Sequence, residues 1–208
     1  MRLSEKTLEL NICAQMSGLL APHQQLFWFG LTQRQEARAG FDACAKFGGR
    51  LLIFQFKASN RVLRSGERVF LAPHDQMTAL RARVRSSARS VFYAFPLIGT
   101  TRELSIKPNL LAQTWLLDVA DLPATIPKPT IIDGSALRRN CCHNVYVTPG
   151  KAKICSDPIN TDVLSMAEVV ESQFPGGDGI GWQFEDNFER FWEFTRSLSR
   201  GARGLVVW

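Results

Sequence analysis

Apolar residues recur at helical spacing near the start of the chain, at Leu8, Ile12, Met16 and Leu19. That pattern predicts an amphipathic helix from Ser4 to about Leu20, with Ser4 as N-cap and Glu5 near the positive end of the helix dipole. Glu5 and Glu9 fall on the same stripe, where a carboxylate is costly unless something pairs with it. The periodicity then changes. LFWFGLTQRQ is aromatic and β-rich, and GFDACAKF-GG-RLLIFQFKAS predicts a hairpin. Its two β-capable arms flank Gly48-Gly49, a pair suited to the positive φ of a tight turn. The second arm, residues 51–56, is apolar until Gln55, as in a strand covered on both faces. Residues 60–70 are basic and predict a loop. Pro73 marks the entrance of a helix running from His74 to about Ser87, with Met77, Leu80 and Val84 on one face. VFYAFPLI (91–98) and WLLDVADL (115–122) predict strands.

A Pro-rich link, LPATIPKPT (122–130), separates this part from the rest. Beyond it, NVYVTPGKAKICSDP predicts a hairpin around Pro149-Gly150, and a helix is expected near Ser165 to Gln173. FEDNFERFWEFTRSLS predicts an aromatic helix, and Gly204 to Trp208 a terminal strand. The order helix, strand, strand hairpin, helix, strand implies an α/β (α+β) fold with a mixed sheet. The expected organisation is a core over residues 1–124 and a C-terminal α+β extension over 125–208, packed together as one compact domain.

Composition narrows the class. With 45% hydrophobic and 21% charged residues, the chain buries a real core, which excludes extended disorder. No run of eighteen apolar residues occurs, so no membrane-spanning helix is expected. The polar start MRLSEKTLELNICAQM has no apolar block, and a secretory signal is not expected. An odd set of five cysteines then implies reduced thiols and a cytoplasmic setting. Cys141, Cys142, His143 and Cys155 carry zinc-type donors, but adjacent cysteines followed directly by histidine seldom wrap one tetrahedron. His143 is expected instead on the edge of the strand NVYV, and His74 is expected to serve as a helix-entry residue. A net charge of +6 and a pI near 9.3 suit a polyanionic partner.

The chemistry concentrates on the first hairpin. Gln55 and Lys57 are two apart, hence on one face of a strand, and Asp42 lies in the opposite arm. Such a polar triad at the end of a buried hairpin needs either a ligand or mutual pairing. A metal site and a structural Asp–Lys pair both meet that demand. The stretch GFDACAKFGGRLLIFQFKAS resembles the PD-(D/E)XK superfamily of restriction-endonuclease-like nucleases, in the variant where glutamine replaces the second acid. The resemblance spans roughly residues 4 to 98 and implies an α-β-β-β-α-β core. It implies that Asp42 is the strand acid, that Gln55-Phe56-Lys57 is the last motif, and that Glu9 is the helix acid, with Glu5 as substitute. A plain edge position is the competing reading of Glu9.

The implied cofactor is Mg²⁺ (or Mn²⁺), held by Asp42, Gln55 and Glu9, with Lys57 acting on water and phosphate. The implied activity is hydrolysis of phosphodiester bonds, in DNA more than RNA, in bacterial defence, restriction or repair. Seven arginines lie between Arg61 and Arg89, opposed only by Glu67 and Asp75. Arg61, Arg64, Arg81 and Arg85 are the expected phosphate contacts, with a solvated face as the plain alternative. A catalytically silent module of the same fold is the other class of function. It would bind nucleic acid, a protein partner or a second copy of itself. A third reading is a subunit that cuts only when an ATPase or sensor partner is present, for which the aromatic C-terminal helix and Trp208 are a candidate surface.

Overall fold

The computed structural model describes residues 1–20, 27–30, 43–47, 50–84, 91–129, 141–155, 158–172 and 182–183. Helix α1 spans Glu5–Leu20. Ser4 caps it as expected, its Oγ accepting from the Thr7 amide at 3.1 Å. The buried stripe is Leu8, Glu9, Ile12, Met16 and Leu20. It departs from the expected face at its end, where Leu20 turns inward and Leu19 is 41% exposed.

Strands β1 (Phe27–Gly30), β2 (Ala43–Phe47) and β3 (Arg50–Phe56) form an antiparallel meander. Phe47 pairs with Arg50, so a two-residue connection closes the second hairpin, as Gly48-Gly49 predicts. The turn residues themselves lie outside the described residues. β6 (Val91–Pro96) runs parallel to β3, and β7 (Thr114–Asp118) antiparallel to β6. With β11 (Leu164–Ser165) on β7 and β12 (Trp182–Gln183) on β3, this makes a mixed seven-stranded sheet. Every residue of β6 is buried, which explains its unbroken apolar sequence.

The second sheet is antiparallel, in the order β10-β9-β8-β5-β4. It joins β4 (Arg61–Val62) and β5 (Arg68–Pro73) to β8 (Cys142–Thr148), β9 (Lys151–Cys155) and β10 (Pro158–Asp162). Strands from both sides of the Pro-rich link therefore share both sheets. The loop expected over residues 60–70 is instead a hairpin. Gly66, at φ 89°, turns the chain, and Leu63 and Glu67 close it at 2.9 Å. The arginines that gave this stretch its loop-like look include Arg68, which points inward and is only 8% exposed. Gly150, at φ 80°, turns the β8–β9 hairpin at the predicted place.

Two cores result. Leu52, Phe54, Phe56, Phe92 and Leu116 of the large sheet pack against α1 and against α4 (Met166–Ser172). On the opposite face, Ile53, Val91, Tyr93 and Phe95 meet the second sheet through Phe70, Val145 and Ile154, and meet α2 (His74–Arg83) through Met77 and Leu80. A short helix, α3 (Thr101–Ile106), carries a capping box made by Thr100 and Glu103. The described residues thus form a mixed α/β structure with two sheets. No helix among the described residues is long and apolar enough to cross a membrane.

Candidate functional site

The alternation of β3 sends Leu52, Phe54 and Phe56 toward α1, and Ile53 and Gln55 toward the second sheet and α2. Gln55 is therefore an amide inside an apolar layer, 1% exposed, opposite Tyr93 of β6. Its Nε2 donates to the Phe56 carbonyl at 3.0 Å, and its Oε1 accepts from Gln76 Nε2 at 2.8 Å. Gln76 comes from the first turn of α2. Its own Oε1 is buried and accepts no hydrogen bond among the described residues.

Lys57 continues past β3, its amide donating to the Ala94 carbonyl at 3.0 Å. The side chain is also buried, at 7% exposure for the residue. Its Nζ donates to Glu5 Oε1 at 3.3 Å, and the other Glu5 oxygen accepts from the Ala58 amide at 3.3 Å. Glu5, at the start of α1, is thereby the α1 carboxylate that meets Lys57. Glu9 lies one turn further on and is 6% exposed, so it does face inward. Its ion pair is with Lys6 at 2.7 Å.

Asp42 lies outside the described residues, as do Arg85 and the aromatic C-terminal segment. Its chain neighbour Ala43 pairs with Phe54, the residue before Gln55. Of the other expected arginines, Arg61 and Arg64 are exposed, while Arg81 donates to the Leu122 carbonyl at 2.8 Å. Arg68 is spent inside the fold, on Glu103 and on Ser59 Oγ.

Beside this group lies a second polar cluster. β8 runs between β5 and β9, so His143 is not at an edge as expected. It is 1% exposed, and its Nε2 meets Nδ1 of the buried His74 at 3.0 Å. Burial, then repulsion from His74, lowers the His143 pKa to about 4. The neighbouring Cys142 thiol is raised by burial and by Cys141, although Lys57 pulls it down. Cys141 Sγ points to the Pro129 carbonyl at 3.9 Å. Among the described residues, no three His, Cys, Asp or Glu side chains converge as a metal cage.

Gln76 and the His74–His143 contact were the partners that sequence reasoning missed. A glutamine in a helix has no periodic signature, and two histidines 69 positions apart meet only through sheet pairing. No family model matches the chain, and no curated protein or solved structure is significantly similar to it.

Proposed function

We propose that the chain is a metal-dependent phosphodiesterase that cleaves nucleic acid, DNA in preference to RNA, at the end of β3. The observation that carries this reading is the pair of buried polar side chains, Gln55 and Lys57, with Glu5 of the first helix set against the lysine. The element order supports it as well. α1, β1, β2, β3, α2 and β6 follow the α-β-β-β-α-β succession of restriction-endonuclease-like nucleases, with β4 and β5 inserted before α2.

The donor chemistry fits a hard divalent cation such as Mg²⁺ or Mn²⁺, which takes oxygen ligands. Gln55 supplies an amide oxygen, and the buried, unpartnered Oε1 of Gln76 marks oxygen-donor capacity unused within the described protein. The residues that would hold the ion are Asp42, Gln55 and a carboxylate of α1, either Glu9 or the Glu5 that lies beside Lys57. When bound, such an ion polarises the phosphate and lowers the pKa of water. Gln76 fixes the Gln55 amide so that its oxygen has one orientation. Glu5 holds the Lys57 ammonium in place. Lys57 donates to the attacking water or to the phosphate oxygens on which charge builds.

The test is nicking of supercoiled plasmid with Mg²⁺ or Mn²⁺. Wild type should nick; Asp42→Ala and Lys57→Ala should lose at least a hundredfold in rate, and EDTA should abolish nicking. A second reading, a catalytically silent module, is favoured by one feature: Lys57 already has Glu5 as a partner, and Gln55 already has Gln76. Absence of nicking with either metal, in a folded protein, would support that reading.

A further inference from the structure

The face of the second sheet turned away from the seven-stranded sheet carries several exposed polar side chains. β8 alternates, burying His143, Val145 and Val147 while leaving Asn144 exposed and Tyr146 partly exposed. β9 alternates in step: Ala152 and Ile154 are buried, Lys151 and Lys153 exposed. Residues directly opposite in antiparallel strands share a face. The registers Asn160↔Lys153, Lys153↔Tyr146, Tyr146↔Val69 and Val69↔Arg61 therefore draw one line across five strands, in which Asn160, Lys153 and Arg61 are exposed, Tyr146 is partly exposed and Val69 is buried. Lys153 lies directly beside Tyr146, Arg61 lies on its other side beyond the buried Val69, and the exposed Leu71, paired with Asn144, lies diagonally beside it.

The charges on this face are one-sided. Lys151 is paired with Asp162 at 2.7 Å, and Glu67 in the β4–β5 turn is held by Ser65. Arg61 and Lys153 make no ion pair among the described residues. Three strand steps separate them, roughly 14 Å at the usual spacing of about 4.8 Å. A partly exposed aromatic ring with a cation to either side along one line of a sheet answers both parts of a nucleotide chain. The ring stacks on a base and the cations take the phosphates on either side.

We infer that this outer face is a binding platform for single-stranded nucleic acid, centred on Tyr146 and flanked by Arg61 and Lys153. A duplex keeps its bases stacked inside and gives Tyr146 nothing to stack on. The overall charge of +6 favours the same partner. The platform lies on the far side of the second sheet from Gln55, and it does not depend on the nuclease reading.

The test is fluorescence anisotropy of labelled (dT)20 and U20 with the full chain in EDTA, against a duplex of equal length. Tyr146→Ala should weaken single-strand binding about 5- to 150-fold, the range for loss of one base–aromatic stack. Tyr146→Phe should retain it. Arg61→Ala and Lys153→Ala should each reduce the salt slope, log K against log salt, by about 0.7. Lys107→Ala, exposed but off this face, should bind like wild type. Binding is read in EDTA, where no nicking occurs, so failure here and failure of the nuclease reading are distinguishable. Wild type that ignores both oligonucleotides, or a folded Tyr146→Ala protein that binds them unchanged, would overturn the inference. The face would then fit an acidic protein surface instead.

Discussion

Acidification offers the sharpest test of the interior, through the His74–His143 contact. An exposed histidine in the unfolded chain takes a proton near pH 6.5, whereas His143 in the fold takes one only near pH 4. Between those values the unfolded state binds more protons, so stability falls as the pH drops. The contribution of this group is nearly intact at pH 7. By pH 5 the loss should be about 2 kcal/mol, approaching about 3 kcal/mol below pH 4. Such a loss is a large part of the stability of an ordinary domain. Urea unfolding followed by tryptophan fluorescence at pH 7.0, 6.0 and 5.0 measures it. His143→Gln, which does not titrate, should be less stable at pH 7 and should show a flatter pH dependence by about 2 kcal/mol over this span. Equal slopes for wild type and His143→Gln would refute the reasoning.

Other outcomes follow from the packing. Glu5→Ala removes the partner of a buried ammonium and should destabilise by about 1–3 kcal/mol in thermal or urea unfolding, more than an exposed substitution such as Asn11→Ala. Gly99→Ala would put a Cβ 2.9 Å from Ser59 Oγ and 3.0 Å from Arg68 Nη1, so it should lower the melting temperature although alanine is small. Glu103 should add an acid-sensitive element of its own. Burial raises its pKa, but the Gly99 amide, Arg68 and Thr100 together hold it below 4.5, so its contribution is present above that value and disappears as the pH falls through the folded pKa. Replacing it with Gln should flatten the unfolding profile in that acid range. Cys13, raised to about 12 by burial and by the nearby Glu9, should react with iodoacetamide at pH 8 far more slowly than a free cysteine, as peptide mapping would show.

Much of the architecture was legible where local rules act alone. The Gly48-Gly49 pair, the apolar run ending at Gln55 and the Pro149-Gly150 turn each specify their hairpin through short-range geometry. Ser4 and Pro73 likewise mark helix entrances that the structure keeps. Reading failed where partners are distant. Residues 60–70 look like a basic loop because nothing local reveals that Arg68 has Glu103 and Ser59 waiting for it. His143 looked like an edge residue because the sequence of β8 does not say that β5 and β9 cover both its sides. The candidate site divides in the same way. Gln55 and Lys57 stand out as polar interruptions of an apolar strand. Their contacts, Gln76 and Glu5, come from two different helices that only tertiary packing brings to the strand end.

The shared second sheet has a consequence for any attempt to dissect the chain. β5 has β8 along one edge, and β8 comes from beyond the Pro-rich link. A polypeptide stopped near residue 124 would leave that edge with bare amide and carbonyl groups and would uncover Phe70. Such a fragment should be insoluble alone, yet regain solubility when the missing half is supplied in trans. Recombining two separately expressed halves is therefore a practical route to a split reporter or a conditional version of this protein.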